Sequence, residues 1–444
     1  MKNFLPSLYV LVFILGNAAY AQLPDLDESD VQPSISPSIK EICALPTPAI
    51  IEIHTNDEVP IQSKEVYVDA QITIREALPD GNGFSEYTYA TRIRGRGNST
   101  WRMEKKPYRL NLNEARSLLG LPAARNWALL ANHADKTMLR NAIALCLGRV
   151  MEMEWTPGFR FAELYLNDEY QGLYQLTDHI ETGEHRVNIG ARKESSVPGD
   201  IGFLMEIDKH MDEKQWFLGN IFATPYAIKG KLSSEEAVEA AAFINRMELG
   251  FIKKIIQKNN SYFPDSQNHP NFINYKDYIE LESFVNFYLI NEFLKNLDAF
   301  FYSSTFVYRP WGEKLRFGPL WDFDSAAGNA DEYGMEDPHG WWTREISVYV
   351  QNALSDPEFN DRIKDRWNFL YARISELFDF IDSAATGLDG AQKRNFERWP
   401  ILDRIVWRNP EIHYTYEGEV AHLKNWLQKR AMWINSELSS STTQ

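Results

Sequence analysis

Residues 160–181 read RFAELYLNDEYQGLYQLTDHIE, and their pattern decides the class of fold. Two runs of alternating apolar and polar residues flank Asn167-Asp168, a pair suited to the positive-φ positions of a tight hairpin turn. Antiparallel neighbours joined this way need no crossover helix. A second hairpin is expected over residues 306–320, FVYRPWGEKLRFGPL, turning at Pro310 to Gly312. Alternation also marks residues 49–57, 65–75, 87–94 and 202–208, with a turn at Asp80-Gly81-Asn82-Gly83. Apolar residues at helical spacing follow Asp135, which the pattern predicts as a helix N-cap. They recur over residues 235–257, 279–294 and most of 346–438. Strands dominate the front and helices the back, so the class is α+β rather than alternating βαβ. The expected division is a strand-rich part over about 47–210 and a helical part over about 211–438, with a loose tail at 439–444.

The ends of the chain carry a different message. Lys2, the apolar run LPSLYVLVFILG and the small residues around Tyr20 form the pattern of a secretory signal peptide over residues 1–21, cleaved near Ala21. Export is therefore expected, to a periplasmic, cell-surface or extracellular location. Residues 22–46, rich in Pro, Ser and Asp, read as a linker. No later run is apolar enough for a membrane span. The net charge is −16, which makes the chain a poor candidate for wrapping nucleic acid, where a basic face is needed. Only Cys43 and Cys146 are present. An exported chain could join them, yet Cys146 inside IALCLG also reads as a buried thiol. The nine histidines are scattered and neither CxxC nor HExxH occurs, which argues against a zinc site.

Chemistry concentrates in two places. The arms of the second hairpin bring their outer ends together, so Asp298 should meet Asp322 and Asp324 of GPLWDFDSAAGN. If the strand ran on through Asp324, its period of two would put Asp322 and Asp324 on one face. Clustered carboxylates repel unless a cation joins them, and a hard divalent ion is the natural partner. The alternative is that both merely cap a turn. The other place is RIRGRGNSTWRMEKKPYRLNL, residues 92–112, where a turn of Gly95, Gly97, Asn98, Ser99 and Thr100 is flanked by six basic side chains. In an acidic chain this points to a phosphate or carboxylate, against the reading of a solvated hairpin. Glu163, Asp178, Glu181, Glu206 and Asp208 lie between, and one of them is expected to pair with Lys105 or Lys106.

The order of these parts, with RGNSTW, NWALLANHADKTMLRN, ELYLNDEYQGLYQL, GFLMEID, NLDAFFYSSTFVYR and WDFD, resembles the CotH kinases, a family named for a bacterial spore-coat protein. The resemblance implies an atypical protein-kinase-like fold that binds ATP with Mg2+ or Mn2+ and phosphorylates Ser or Thr of a protein acceptor. It implies Asp298 as the catalytic aspartate and Asp322, with Asp324, as metal-binding. Lys105 or Lys106 becomes the phosphate lysine, with Arg96, Asn98 and Ser99 in the phosphate-facing turn. Asp178 falls where the family often has Glu, and Ser303 where kinases carry a second metal-binding Asn. Two rival readings remain: a nucleotide-binding pseudokinase serving as a surface binding module, and a carbohydrate-active protein using paired carboxylates.

Overall fold

The computed structural model describes residues 37–78, 83–192, 199–211, 213–259, 274–298 and 303–440. The signal-peptide pattern, the linker up to residue 36, most of the Asp80–Gly83 turn and the last four residues of the tail lie outside these ranges. Everything below concerns the compact unit that starts at Ser38.

Seven strands close into a barrel: β1 (Ala49–Thr55), β2 (Val68–Ala77), β3 (Phe84–Gly95), β4 (Tyr108–Arg116), β5 (Ala124–Leu130), β6 (Phe159–Leu166) and β7 (Glu169–Asp178). Their order is β1-β2-β3-β4-β5-β7-β6, with β1 running parallel to β6 at the seam. Closure leaves no unpaired edge. Alternate side chains point inward, so Ile53, Ile72, Ile93, Leu110, Trp127 and Leu164 are fully buried in the barrel. The β6–β7 turn takes the form its residues favour, with Asn167 at φ 49° and Asp168 at φ 62°.

A second sheet is assembled from distant pieces: β8 (Phe203–Ile207), β9 (Trp216–Leu218), β10 (Pro225–Ile228), β11 (Thr305–Arg309) and β12 (Arg316–Phe317). Its order is β12-β11-β8-β10-β9, antiparallel throughout. Strands thus continue to residue 317, where the hairpin expected over residues 306–320 supplies β11 and β12. β12 ends early because Pro319 has no N–H to give a ladder. Residues 318–323 are therefore irregular, and the strand expected to run through Asp324 does not form.

The helices are α1 (Ile39–Ile42), α2 (Arg140–Val150), α3 (Ser234–Asn259), α4 (Leu281–Phe293), α5 (Thr343–Ile346), α6 (Val348–Ala353), α7 (Pro357–Ala372), α8 (Ile374–Gly387), α9 (Asp389–Arg398) and α10 (Tyr416–Ser440). α4 is buried on every side from Phe284 to Phe293, with Asn286, Asn291 and Glu292 the polar residues among mostly apolar ones, so it forms the axis of the helical core. α9 ties that core to the barrel, with Arg394 forking onto Glu163 of β6 at 2.6–2.8 Å and Trp399 donating to the Gln171 carbonyl at 2.8 Å. α1 lies inside the stretch expected as linker. Its capping box at Ser38 and Glu41 orders it locally, and Cys43 is bonded to Cys146 of α2, 103 residues away. The buried-thiol reading of Cys146 gives way to a disulfide. Among the described residues no helix is long and apolar enough to cross a membrane.

Candidate active site

A cleft of about 750 Å3 opens between the barrel, the second sheet and the irregular segments that follow α4 and β12. One wall is basic. In the β3–β4 pairing Arg94 stands directly opposite Arg109, and both line the cleft together with Arg96 and Lys229. Like charges facing each other across a ladder destabilise it unless an anion lies between them. Burial and the neighbouring Arg94 lower the pKa of Arg109, whose Nε is buried without a hydrogen-bond partner. His179 sits among the same cations; burial first, then Arg109, Arg96, Lys229 and Arg94 hold it neutral. Lys229 differs from the arginines because Glu206 and Glu213 grip its ammonium at 2.7 and 2.6 Å. Burial alone would lower its pKa, and the two carboxylates more than reverse that.

The glycines of the RGRGNSTW turn answer to two close contacts. A Cβ on Gly95 would sit 2.4 Å from the Trp101 ring, and one on Gly97, at φ 81°, 2.0 Å from Thr100 Oγ1. The turn therefore folds back onto its own Trp101, and Arg96 is held over the Trp321 ring at 5.2 Å, beside the WDFD segment.

The cleft is lined by acids as well. Asp298, Asp322 and Asp324 all line the cleft, with Ser303 and Ser304 between them in sequence. Asp322 has φ 66° and accepts a hydrogen bond from Ser304 Oγ at 3.1 Å. The two WDFD aspartates thus share a cleft through a left-handed kink, not through strand alternation. Burial, then Asp322 and Asp298, push the Asp324 carboxyl well above the usual carboxylate range. Burial and Asp322 raise Asp298 to about 6. A set of carboxylate and hydroxyl oxygens, crowded enough to hold protons, suits a hard divalent cation such as Mg2+ or Mn2+.

The segment after WDFD is clamped from behind by the NHADKTMLRN stretch. Asp135 is not the N-cap of α2; that place is Leu139, which makes no side-chain cap. Asp135 is buried, accepts from the backbone N–H of Arg140 at 2.9 Å, and pairs with the Arg140 guanidinium at 2.6 Å. Arg140 in turn donates to the carbonyls of Ala326 and Ala327 at 2.9 and 3.2 Å. Asn141 Oδ1 accepts from the Phe323 N–H at 2.8 Å, and Asn329 Nδ2 donates to the Asp324 carbonyl at 2.7 Å. Asn409 closes the knot by donating to Ala134 O and Asn329 Oδ1.

The cleft brings together Asp298, Asp322, Asp324, Ser303, Arg96, Asn98, Ser99 and Lys105. Glu206 and Asp208 line it too, whereas Lys106, Asp178, Glu163 and Glu181 do not. Lys105 reaches the cleft with its chain, but its Nζ donates to the Leu173 carbonyl and to Asn395 Oδ1, and burial drives its pKa far down. Lys106 donates to the Trp101 carbonyl under the Trp101 ring. Neither meets an acid. Asp178 pairs with Arg186 at 2.9 Å and accepts from the Gly158 N–H. Asn98 accepts from Lys64, and Glu181 from Asn126. Lys229 does meet an acid in the cleft, through Glu206. Only the pairing of β8 with β10 puts them together, with Ala227 facing Glu206. No local motif announces it.

The CotH kinase protein family matches residues 93–434, which take in the cleft-lining residues from Arg94 to Arg408. The chain belongs to the CotH kinase family. No curated protein matches it at a significant level. Membership suggests a kinase-like function. The family match runs from β3 to the last turns of α10, so α1, β1 and β2 lie ahead of it.

Proposed function

We propose that this protein is an exported, metal-dependent atypical protein kinase that transfers the γ-phosphoryl group of ATP to Ser or Thr of a protein acceptor. The observation that carries this reading is the bipolar cleft. Arg94, Arg96 and Arg109 supply cations suited to a polyphosphate, and Asp298, Asp322 and Asp324 line the same cleft with oxygens suited to the accompanying cation. Glycoside hydrolysis needs no such arginine wall, which leaves the carbohydrate reading without support. The family match and the α+β architecture agree with a kinase-like fold. Export is supported by the leader pattern and by the Cys43–Cys146 disulfide, a bond at home in oxidising compartments.

Phosphoryl transfer asks mainly for positioning and charge neutralisation. In this reading the arginine wall and Lys229 orient the phosphates, and Glu206 and Glu213 keep Lys229 charged and in place. Asp298 accepts the proton of the attacking Ser or Thr hydroxyl as the oxygen–phosphorus bond forms. The bond from Pγ to the β,γ-bridging oxygen breaks and ADP leaves. Asp322 and Asp324 would hold the divalent cation, which neutralises phosphate charge when bound. Ser304 orients Asp322 through its hydroxyl. One departure favours a second reading, in which nucleotide binds without transfer: Ser303 offers a hydroxyl where kinases carry an amide oxygen.

Calorimetric titration with ATP in Mg2+ tests the binding half. The wild type should bind, and Arg109→Ala should weaken binding roughly 10- to 100-fold, the worth of a charge-assisted hydrogen bond. Equal affinities in the two proteins would remove the arginine wall from the account.

A further inference from the structure

Away from the cleft's aspartates, residues 401–415 connect α9 to α10 and bring three ligand-type side chains to one point. Glu411 and His413 stand on this segment, and His422 stands on the second turn of α10. One ligand atom from each lies within 4.8 Å of the other two. The two imidazoles stack with centroids 4.2 Å apart, and Glu411 Oε2 approaches His413 Nε2 at 3.9 Å. Neither ring has a hydrogen-bond partner among the described residues. The contact is built into the backbone as well. A Cβ on Gly418 would lie 2.6 Å from the His413 carbonyl, so glycine in the first turn of α10 lets the helix seat directly on this segment.

We infer that Glu411, His413 and His422 form a binding site for a borderline divalent transition ion of the Zn2+ type, distinct from the carboxylate site of the cleft. Two imidazoles and one carboxylate are the donor set for such an ion, whereas Mg2+ prefers oxygen alone. Three protein ligands leave a fourth position for water, and Glu411 is exposed, so the ion has an open approach. Bond lengths of about 2.0–2.1 Å require the three groups to draw together, which Glu411 can do by changing rotamer. Positive neighbours do not forbid it. Arg140, one of the cations near His422, is already paired with Asp135.

The site would pin residues 401–415 to α10. That segment carries Trp407 and Arg408, which line the cleft, and Asn409, which holds the Ala134 and Asn329 loops. The inference does not depend on the kinase reading, because the ligands lie outside the cleft and the test reads metal binding alone.

The test is a Zn2+ titration of the full-length, chelator-stripped protein in excess Mg2+, which occupies the oxygen ligands of the cleft. The wild type should take up one tightly held Zn2+ and melt at a higher temperature with it than without it. His413→Ala and His422→Ala should each weaken uptake at least roughly 100-fold and cancel the melting shift, with unchanged melting in the absence of Zn2+. Glu411→Gln, at an exposed position where folding is not at stake, should weaken it about tenfold. Uptake by all three variants that equals the wild type overturns the site, as does a wild type that binds no Zn2+ under these conditions.

Discussion

Asp298 shows what a single residue in this cleft gives up to be useful. Its carboxyl is buried beside Asp322 and titrates at about 6, above the ordinary aspartate value of 3.8. The folded protein therefore holds a proton there that the unfolded chain has released. Asp298 contributes its full stability below pH 3.8, and the contribution is lost as pH rises through 6. Asp298→Asn removes that loss. In protein free of nucleotide and cation, the variant should be more stable than the wild type at pH 7.5 by about 2–3 kcal/mol, and the two should converge near pH 4. Urea denaturation at the two pH values measures it; a variant less stable than the wild type at pH 7.5 would contradict the placement of Asp298. At this scale the meeting of Asp298 with the WDFD aspartates was legible from the hairpin between them, while the kink at Asp322 that brings both into the cleft was not. Lys229 was not, because its meaning depends on which strand pairs with which. Lys105 shows the converse: a motif lysine whose ammonium the fold spends on Leu173 and Asn395.

At the scale of elements, the lead-in to α2 matters more than a helix start usually does. Asp135 and Arg140 form a buried pair, and Arg140 holds the two carbonyls after WDFD. A buried ion pair broken on one side leaves an uncompensated charge and costs roughly 3–5 kcal/mol. Arg140→Met should therefore destabilise the protein by about that amount, read as a shift of the urea midpoint without a change in slope. A loss below about 1 kcal/mol would mean that the clamp is not formed. The NHADKTMLRN stretch was readable as a helix approach, since its apolar spacing begins there. Its second duty was hidden, because the carbonyls it holds lie nearly two hundred residues downstream. Likewise the second hairpin was visible, but not the truncation of β12 that turns Asp322 into the left-handed region. The β6–β7 hairpin was read correctly down to its turn, since Asn167 and Asp168 decide it locally.

For the whole molecule, the strand-rich front and helical back follow from periodicity, while the closed barrel and the five-stranded sheet do not. Strand order in the second sheet joins pieces about a hundred residues apart, and nothing in a window of sequence encodes that pairing. The Cys43–Cys146 bond is of the same kind: two cysteines permit it, but only the docking of α1 onto α2 selects it. That architecture brings arginines of the barrel and three aspartates into one cleft, and the proposed use of ATP and a divalent ion rests on this combination. The most direct measurement is transfer itself. Purified protein is incubated with γ-labelled ATP, Mg2+ or Mn2+, and a Ser-rich protein acceptor, and labelled Ser or Thr is located by mass spectrometry. Wild type should label the acceptor, Asp298→Asn should be slower by about 10^2–10^4-fold, and Asp322→Ala should be silent. Labelling by Asp298→Asn and Asp322→Ala at the wild-type rate, or ATP bound by the wild type with no transfer at all, would contradict a kinase built on this cleft.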